Sequence, residues 1–127
     1  MNTFEFPRSV RLLSPGDFSQ VFDSTEFKAS NRYLLILATP SKSGDSRLGF
    51  VIAKKHVKLA VQRNRVKRII RESFRLNQHQ IDNNDFVILA RPGISDLENS
   101  EIREMIDSLW FKLRPSNAKR SNNNKKR

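Results

Sequence analysis

A chain of 127 residues with 24 Lys/Arg against 13 Asp/Glu, a formal net charge of +11, has room for one domain around a modest single core. It has no cysteine, which excludes disulfides and thiolate metal sites, and no apolar run approaches the roughly 18 residues of a membrane span. The opening MNTFEFPRSVR lacks the basic-then-apolar layout of a secretory signal, so a cytoplasmic location without a membrane partner is expected.

The first 13 residues read as an irregular arm. Ser14-Pro15-Gly16-Asp17 is a helix start: a hydroxyl cap, a proline at the first helical position and an acid in the first turn. Phe18, Val21 and Phe22 then recur at spacings of three and four. Lys28 to Asn31 reads as polar connection. Arg32–Ala38 (RYLLILA) is a nearly continuous apolar run, which predicts a strand covered on both faces. Turn residues fill Thr39–Ser46. Arg47–Ala53 (RLGFVIA) is a second strand, expected to form a hairpin with the first, and Gly49 marks a bulge or close approach. A third strand, Asp85–Ala90 (DFVILA), follows polar Asn77–Asn84 and ends at Arg91-Pro92-Gly93.

A last helix is capped by Ser95, in a Ser95-x-x-Glu98 box, or by Asn99. Its apolar stripe is Ile102, Met105, Ile106, Leu109 and Leu113, with Glu98, Glu101, Glu104 and Asp107 opposite. Residues 1–114 form the expected domain. The stretch from Pro115 to Arg127 is basic and has little to bury, so it is expected to be a disordered tail. The order α-β-β-α-β-α predicts an α+β fold, a single-domain sandwich of helices on one mixed sheet.

Between the second and third strands lies the segment that dominates the charge. Residues 54–75, KKHVKLAVQRNRVKRIIRESFR, hold nine Lys/Arg against one acid, Glu72. Wound at 100° per residue, it places Leu59, Val66, Ile69, Ile70, Ser73 and Phe74 in one sector that can dock on a core. Asn64, Lys67, Arg68, Arg71 and Arg75 occupy the other side. Cations at spacings of three and four repel one another, and cations at a helix start oppose its dipole. A polyanion removes both penalties, which points to nucleic acid. Asn64, a neutral amide within the stripe, suits a specific contact with a ribose or base.

Catalysis by side chains has little support. His56 and His79 are the only histidines, the four glycines are scattered rather than gathered in a phosphate loop, and the acids of the last helix have the spacing of a solvated face. On the residues alone three readings stay open. One is an RNA-binding subunit, ribosomal protein or RNA chaperone. Another is a DNA-binding helix-turn-helix, although the flanking strands and the lack of a closely preceding helix count against it. The third is a nuclease using magnesium on the acids.

Ala53-Lys54-Lys55 followed by AVQRNRVKRIIRESFR at Ala60–Arg75 resembles the signature of the protein subunit of bacterial ribonuclease P. The pattern R-N-R-x-K-R-x-x-R-E preceded by A-K-K is far more specific than Arg63-Asn64-Arg65 alone. The resemblance extends to Asp17–Phe22, the strand pair and Asp85-Phe86-Val87. It implies a protein that assists endonucleolytic removal of the 5′ leader from precursor tRNA, with Mg²⁺-dependent catalysis in the RNA subunit and no catalytic side chain of its own. The implied partners are the ribonuclease P catalytic RNA and precursor tRNA, with no obligate protein partner. By residue match, Lys54, Lys55, Arg63, Asn64, Arg65, Lys67, Arg68, Arg71 and Arg75 form the RNA-binding set. Phe18 and Phe22 are implied to border a leader-binding cleft, with Phe22 the more buried. Leu37 and Phe50 are expected to give it apolar contact, because Tyr33 at the strand's start leaves no aromatic further along. The family fold implies a left-handed crossover around the basic helix, against the general right-handed rule.

Overall fold

The computed structural model describes residues 15–41, 46–81 and 83–114. The arm, the Ser14 cap and the basic tail lie outside the described residues. Among them the order is α1 (Pro15–Ser24), β1 (Phe27–Ser30), β2 (Leu34–Pro40), β3 (Arg47–Val51), α2 (Ala60–Asn77), β4 (Asn84–Ala90) and α3 (Asn99–Lys112). The fold is α+β, with one mixed sheet. It has a strand more than the sequence predicts.

The extra strand, β1, was hidden because Phe27-Lys28-Ala29-Ser30 is short and half polar. It is an edge strand: Ala29 is buried while Lys28 and Ser30 face solvent. Its antiparallel pairing to β2 sets Phe27 against Ala38 and Ser30 against Leu35. Asn31 closes this hairpin, its Oδ1 accepting the backbone N–H groups of Tyr33 at 2.9 Å and Leu34 at 2.8 Å.

The expected hairpin of β2 with β3 does not form. The sheet order is β1-β2-β4-β3, so β4 lies between them, antiparallel to β2 and parallel to β3. The central place goes to the strand with the most completely buried pattern; along β4 only Leu89 is partly exposed. Ser41 after β2 and Ser46 before β3 both reach the incoming end of β4. Ser41 N–H donates to the Asn83 carbonyl at 3.3 Å and Ser46 Oγ to Asn83 Oδ1 at 3.1 Å, holding that end from both sides.

Alternation along the strands assigns the two faces. Leu34, Ile36 and Ala38 of β2, Leu48 of β3 and Phe86, Ile88 and Ala90 of β4 form the main core with α2 and α3. Phe74, Phe86 and Trp110 meet at its centre, with ring centroids 5.4–5.8 Å apart. Trp110 is wholly buried, although the expected stripe on α3 omitted it. The opposite face is smaller: Val21 of α1 packs on Leu37 and Val87, flanked by Phe18, Leu35 and Leu89. One face of the sheet thus carries α1 and the other carries α2 and α3.

One helix end differs from expectation. The cap of α3 is Glu98, not Ser95 or Asn99. The Glu98 carboxylate accepts the backbone N–H of Glu101, and Glu101 Oε1 accepts that of Glu98 at 2.8 Å. Carboxylates at a helix start also match its dipole, which favours this box over the serine one. After β4, the chain turns at Gly93, whose φ is +95°. A Cβ there would sit 3.1 Å from Tyr33 Cε1, so both conformation and space select glycine. Gly93→Ala is expected to destabilise the fold by about 1–2 kcal/mol, read as a lower urea midpoint with unchanged m-value.

Candidate nucleic-acid interface

α2 buries Val66, Ile70, Ser73 and Phe74, with Ile69 half-buried, so the docking side is as the periodicity predicts except at its start. The helix begins at Ala60. Lys54, Lys55 and His56 form a turn before it, and Leu59, expected on the core, is the residue preceding the first turn and is 61 % exposed. Leu59 has an extended backbone and no polar side chain to cap the helix, and the first turn holds no acid. The amino end of α2 is therefore left positive, with Lys54, Lys55 and Lys58 in the turn and segment leading to it.

The nine residues named from the sequence separate into two groups. Arg63 turns back to donate to the carbonyls of Val57 and Lys58, both at 2.9 Å. Arg65 reaches α3: its guanidinium donates to Asn99 Oδ1 and to the carbonyls of Ser95 at 3.0 Å and Leu97 at 3.2 Å, while Nε meets Gln62 Oε1. Arg75 pairs with Glu72. Arg71 lies over the Phe50 ring, 5.9 Å from its centroid. The side chains of Lys54, Lys55, Asn64, Lys67 and Arg68, and also Lys58, make no hydrogen bond or ion pair among the described residues. These six are the groups left for an external anion.

Two arginines of the motif therefore spend their donors inside the protein. The sequence offered no sign of this, because the carbonyls they meet belong to irregular backbone before α2 and before α3. Arg65 has a counterpart further along: Ser73 Oγ donates to Asp107 Oδ1. Both links join residues 34 apart, so α2 and α3 run side by side in the same direction. Three of the acids at α3 are also engaged, Glu98 and Glu101 as its cap and Asp107 with Ser73 and, at 3.5 Å, Arg103. Among the described residues no three His, Cys, Asp or Glu gather to hold a metal ion.

The other face of the sheet gathers most of the remaining candidates. Phe22 on α1 is 47 % exposed, whereas Phe18 is half-buried against the Val21–Leu37–Val87 cluster, the reverse of the expectation. Leu37 forms part of the floor. Phe50 does not join them: it pairs in register with Ile88 and belongs to the α2–α3 side. Val51, 37 % exposed, and half-buried Leu35 and Leu89 are the apolar groups that sequence reasoning missed on this face. Strand alternation from Leu37 and Val87 would have found them. Tyr33 packs on the main core, with Arg32 over its ring, so β2 brings no aromatic to the α1 face.

Arg47 ties the two parts of this face together. It bonds Asp85 through Nε and Nη2, both at 2.9 Å, and Asp17 of α1 at 3.0 and 3.2 Å. The hydrogen bonds that the guanidinium donates to Asp85, followed by the charges of both carboxylates, raise its pKa despite partial desolvation. Asp17, placed in the first turn as a dipole partner, thus also fixes how α1 sits on the sheet.

Residues 6–114 match the family model for ribonuclease P. The chain belongs to the ribonuclease P protein family. It is 50% identical over 115 residues to the ribonuclease P protein component of Ectopseudomonas mendocina (strain ymp), covering 91% of this chain and 86% of the relative. Among solved structures, the Staphylococcus aureus RNase P protein superposes with a TM-score of 0.71 at 27% identity, covering 78% of this chain and 90% of that one. The RNase P protein from Thermotoga maritima gives 0.67 at 30% identity, covering 80% and 96%. As a ribonuclease P protein component, it works with the ribonuclease P RNA in tRNA processing. No helix among the described residues is long and apolar enough to cross a membrane.

The division among the arginines has a measurable consequence. Arg65→Ala is expected to lower stability by about 1–2 kcal/mol, because it leaves the carbonyls before α3 without their donor. Asn64→Ala, at an exposed and unpaired side chain, should stay within about 0.5 kcal/mol of wild type. Chemical denaturation of both variants checks this, and equal losses would contradict the division.

Proposed function

We propose that this protein binds the catalytic RNA of ribonuclease P through the outer side of α2 and the lysines preceding it. The 5′ leader of precursor tRNA lies along the α1 face of the sheet. In this reading cleavage belongs to the RNA and its Mg²⁺, while Glu98 and Glu101 serve as the cap of α3 and Asp107 holds Ser73 and Arg103. The observation that carries this reading is the group of five cations, Lys54, Lys55, Lys58, Lys67 and Arg68, without an internal partner. Such a surface releases counterions when it meets phosphates and binds with strong salt dependence.

The leader assignment is supported by the chemistry of the opposite face. Phe22, Leu35, Val51 and Leu89 offer apolar contact on this face. Aromatic and apolar contact of this kind suits single-stranded RNA of varied sequence, and stacking contributes about 1–3 kcal/mol per base. The cytoplasm, where tRNA precursors are processed in bacteria, is the compartment this reading implies.

With its cognate RNA, the protein is expected to support precursor cleavage at low Mg²⁺ where the RNA alone is slow; unchanged rates on adding protein would refute the assignment. Within that assay Phe22→Ala should weaken binding of leader-bearing substrate by about 1–2 kcal/mol, and mature tRNA hardly at all. Equal weakening of the two would place Phe22 outside the leader site. Phe18→Ala should instead act mainly on stability, since that ring packs on the cluster beneath α1.

A further inference from the structure

The acidic helix α3 carries one cation in its middle, Arg103, and that cation faces α2. Between the two helices lies a cavity of about 530 Å³ lined by Arg68, Ile69, Glu72, Asn99, Ser100 and Arg103. Arg68, Asn99 and Ser100 are exposed, so the cavity is an open groove that a strand can enter from solvent. Its volume falls within the range of ordinary ligand pockets, about 300–1,000 Å³.

The charges in this groove are unbalanced. Glu72, its only carboxylate, is already paired with Arg75. Asn99 Oδ1 is occupied by Arg65. Arg68 has no internal partner among the described residues, whereas Arg103 Nε is buried without a hydrogen bond and is held only by a 3.5 Å ion pair to Asp107, which also accepts from Ser73. The Ser100 hydroxyl adds a donor with no partner of its own. With Arg103 only loosely paired, the groove presents guanidinium donors from both helices, and guanidinium forks match phosphate oxygens.

We propose that the α2–α3 groove is a phosphodiester subsite, in which Arg68 from α2 and Arg103 and Ser100 from α3 hold one phosphate of the catalytic RNA. It rests on the reading of α2 as the RNA surface and extends that surface onto a helix whose exterior is otherwise acidic. Glu104, exposed and outside the lining of the groove, puts a negative charge beside Arg103 that repels the backbone. The path of the RNA is thus bounded on the α3 side, so the groove sets the register of the protein on its RNA as well as adding affinity.

Binding of the full chain to catalytic RNA is measured across a salt series for wild type, Arg103→Ala, Arg103→Lys and Lys67→Ala. Arg103→Ala is expected to lower the slope of log K against log salt by about 0.7–0.9 and to weaken binding roughly three- to tenfold, with Arg103→Lys keeping the wild-type slope. A wild-type slope for Arg103→Ala beside a lowered one for Lys67→Ala would overturn the groove and leave the α2 surface standing. Absence of salt-dependent RNA binding by the wild type would overturn both. A second measurement is independent of affinity. Because the native sequence has no cysteine, Ser100→Cys and Glu104→Cys can each carry a single photo-crosslinker. Crosslinks to the RNA from position 100 and not from 104 are expected; equal yields from both would refute the subsite.

Discussion

The molecule depends on one piece of strand pairing, the entry of β4 between β2 and β3. β3 and β4 then run in parallel, and each is followed by a helix that returns across the same face of the sheet. α2 and α3 are thereby forced side by side in the same direction, joined by Arg65–Asn99 at one level and Ser73–Asp107 at the next. With the sheet beneath it and α3 beside it, α2 has only one side left for solvent. Lys67 and Arg68 lie there and Lys54, Lys55 and Lys58 in the segment leading to it, while Arg63 and Arg65 turn inward to backbone and to α3.

That arrangement also separates two kinds of surface. The α2 side is cationic and built around a helix that starts without a cap. The α1 side is mostly apolar where the sheet meets the helix, and Arg47, Asp17 and Asp85 there are bound to one another. Four strands of sheet stand between them. A structured polyanion and a flexible single strand can therefore be held at the same time without competing for the same side chains, which a subunit serving both an RNA and its substrate requires.

Much of this was legible in the sequence, and the failures have definite causes. Period-3.6 patterning located the buried side of α2 from Val66 to Phe74, because those residues meet a continuous core. It misplaced Leu59, because periodicity carries no information about where a helix begins when no cap residue marks it. The predicted hairpin of β2 with β3 failed for a related reason: a short turn between two apolar runs looks local, whereas β4, thirty residues on, competes better for both. Phe18 and Phe22 recur at helical spacing, and only the tilt of α1 on Leu37 and Val87 decides which is covered. The roles of Arg63 and Arg65 were beyond reach, since Arg63 meets only backbone carbonyls and Arg65 meets two more together with Asn99, 34 residues away. The specific family pattern, by contrast, was legible without any of this geometry.

The central claim is that α2 and the turn before it, and not the α1 face, meet the catalytic RNA. Lysine acetylation of the protein, free and bound to that RNA without substrate, tests it directly. Lys54, Lys55, Lys58 and Lys67 should become protected, while Lys28, exposed on β1 at the α1 face, should react as in the free protein. Protection of Lys28 with the α2 lysines still reactive would contradict the account.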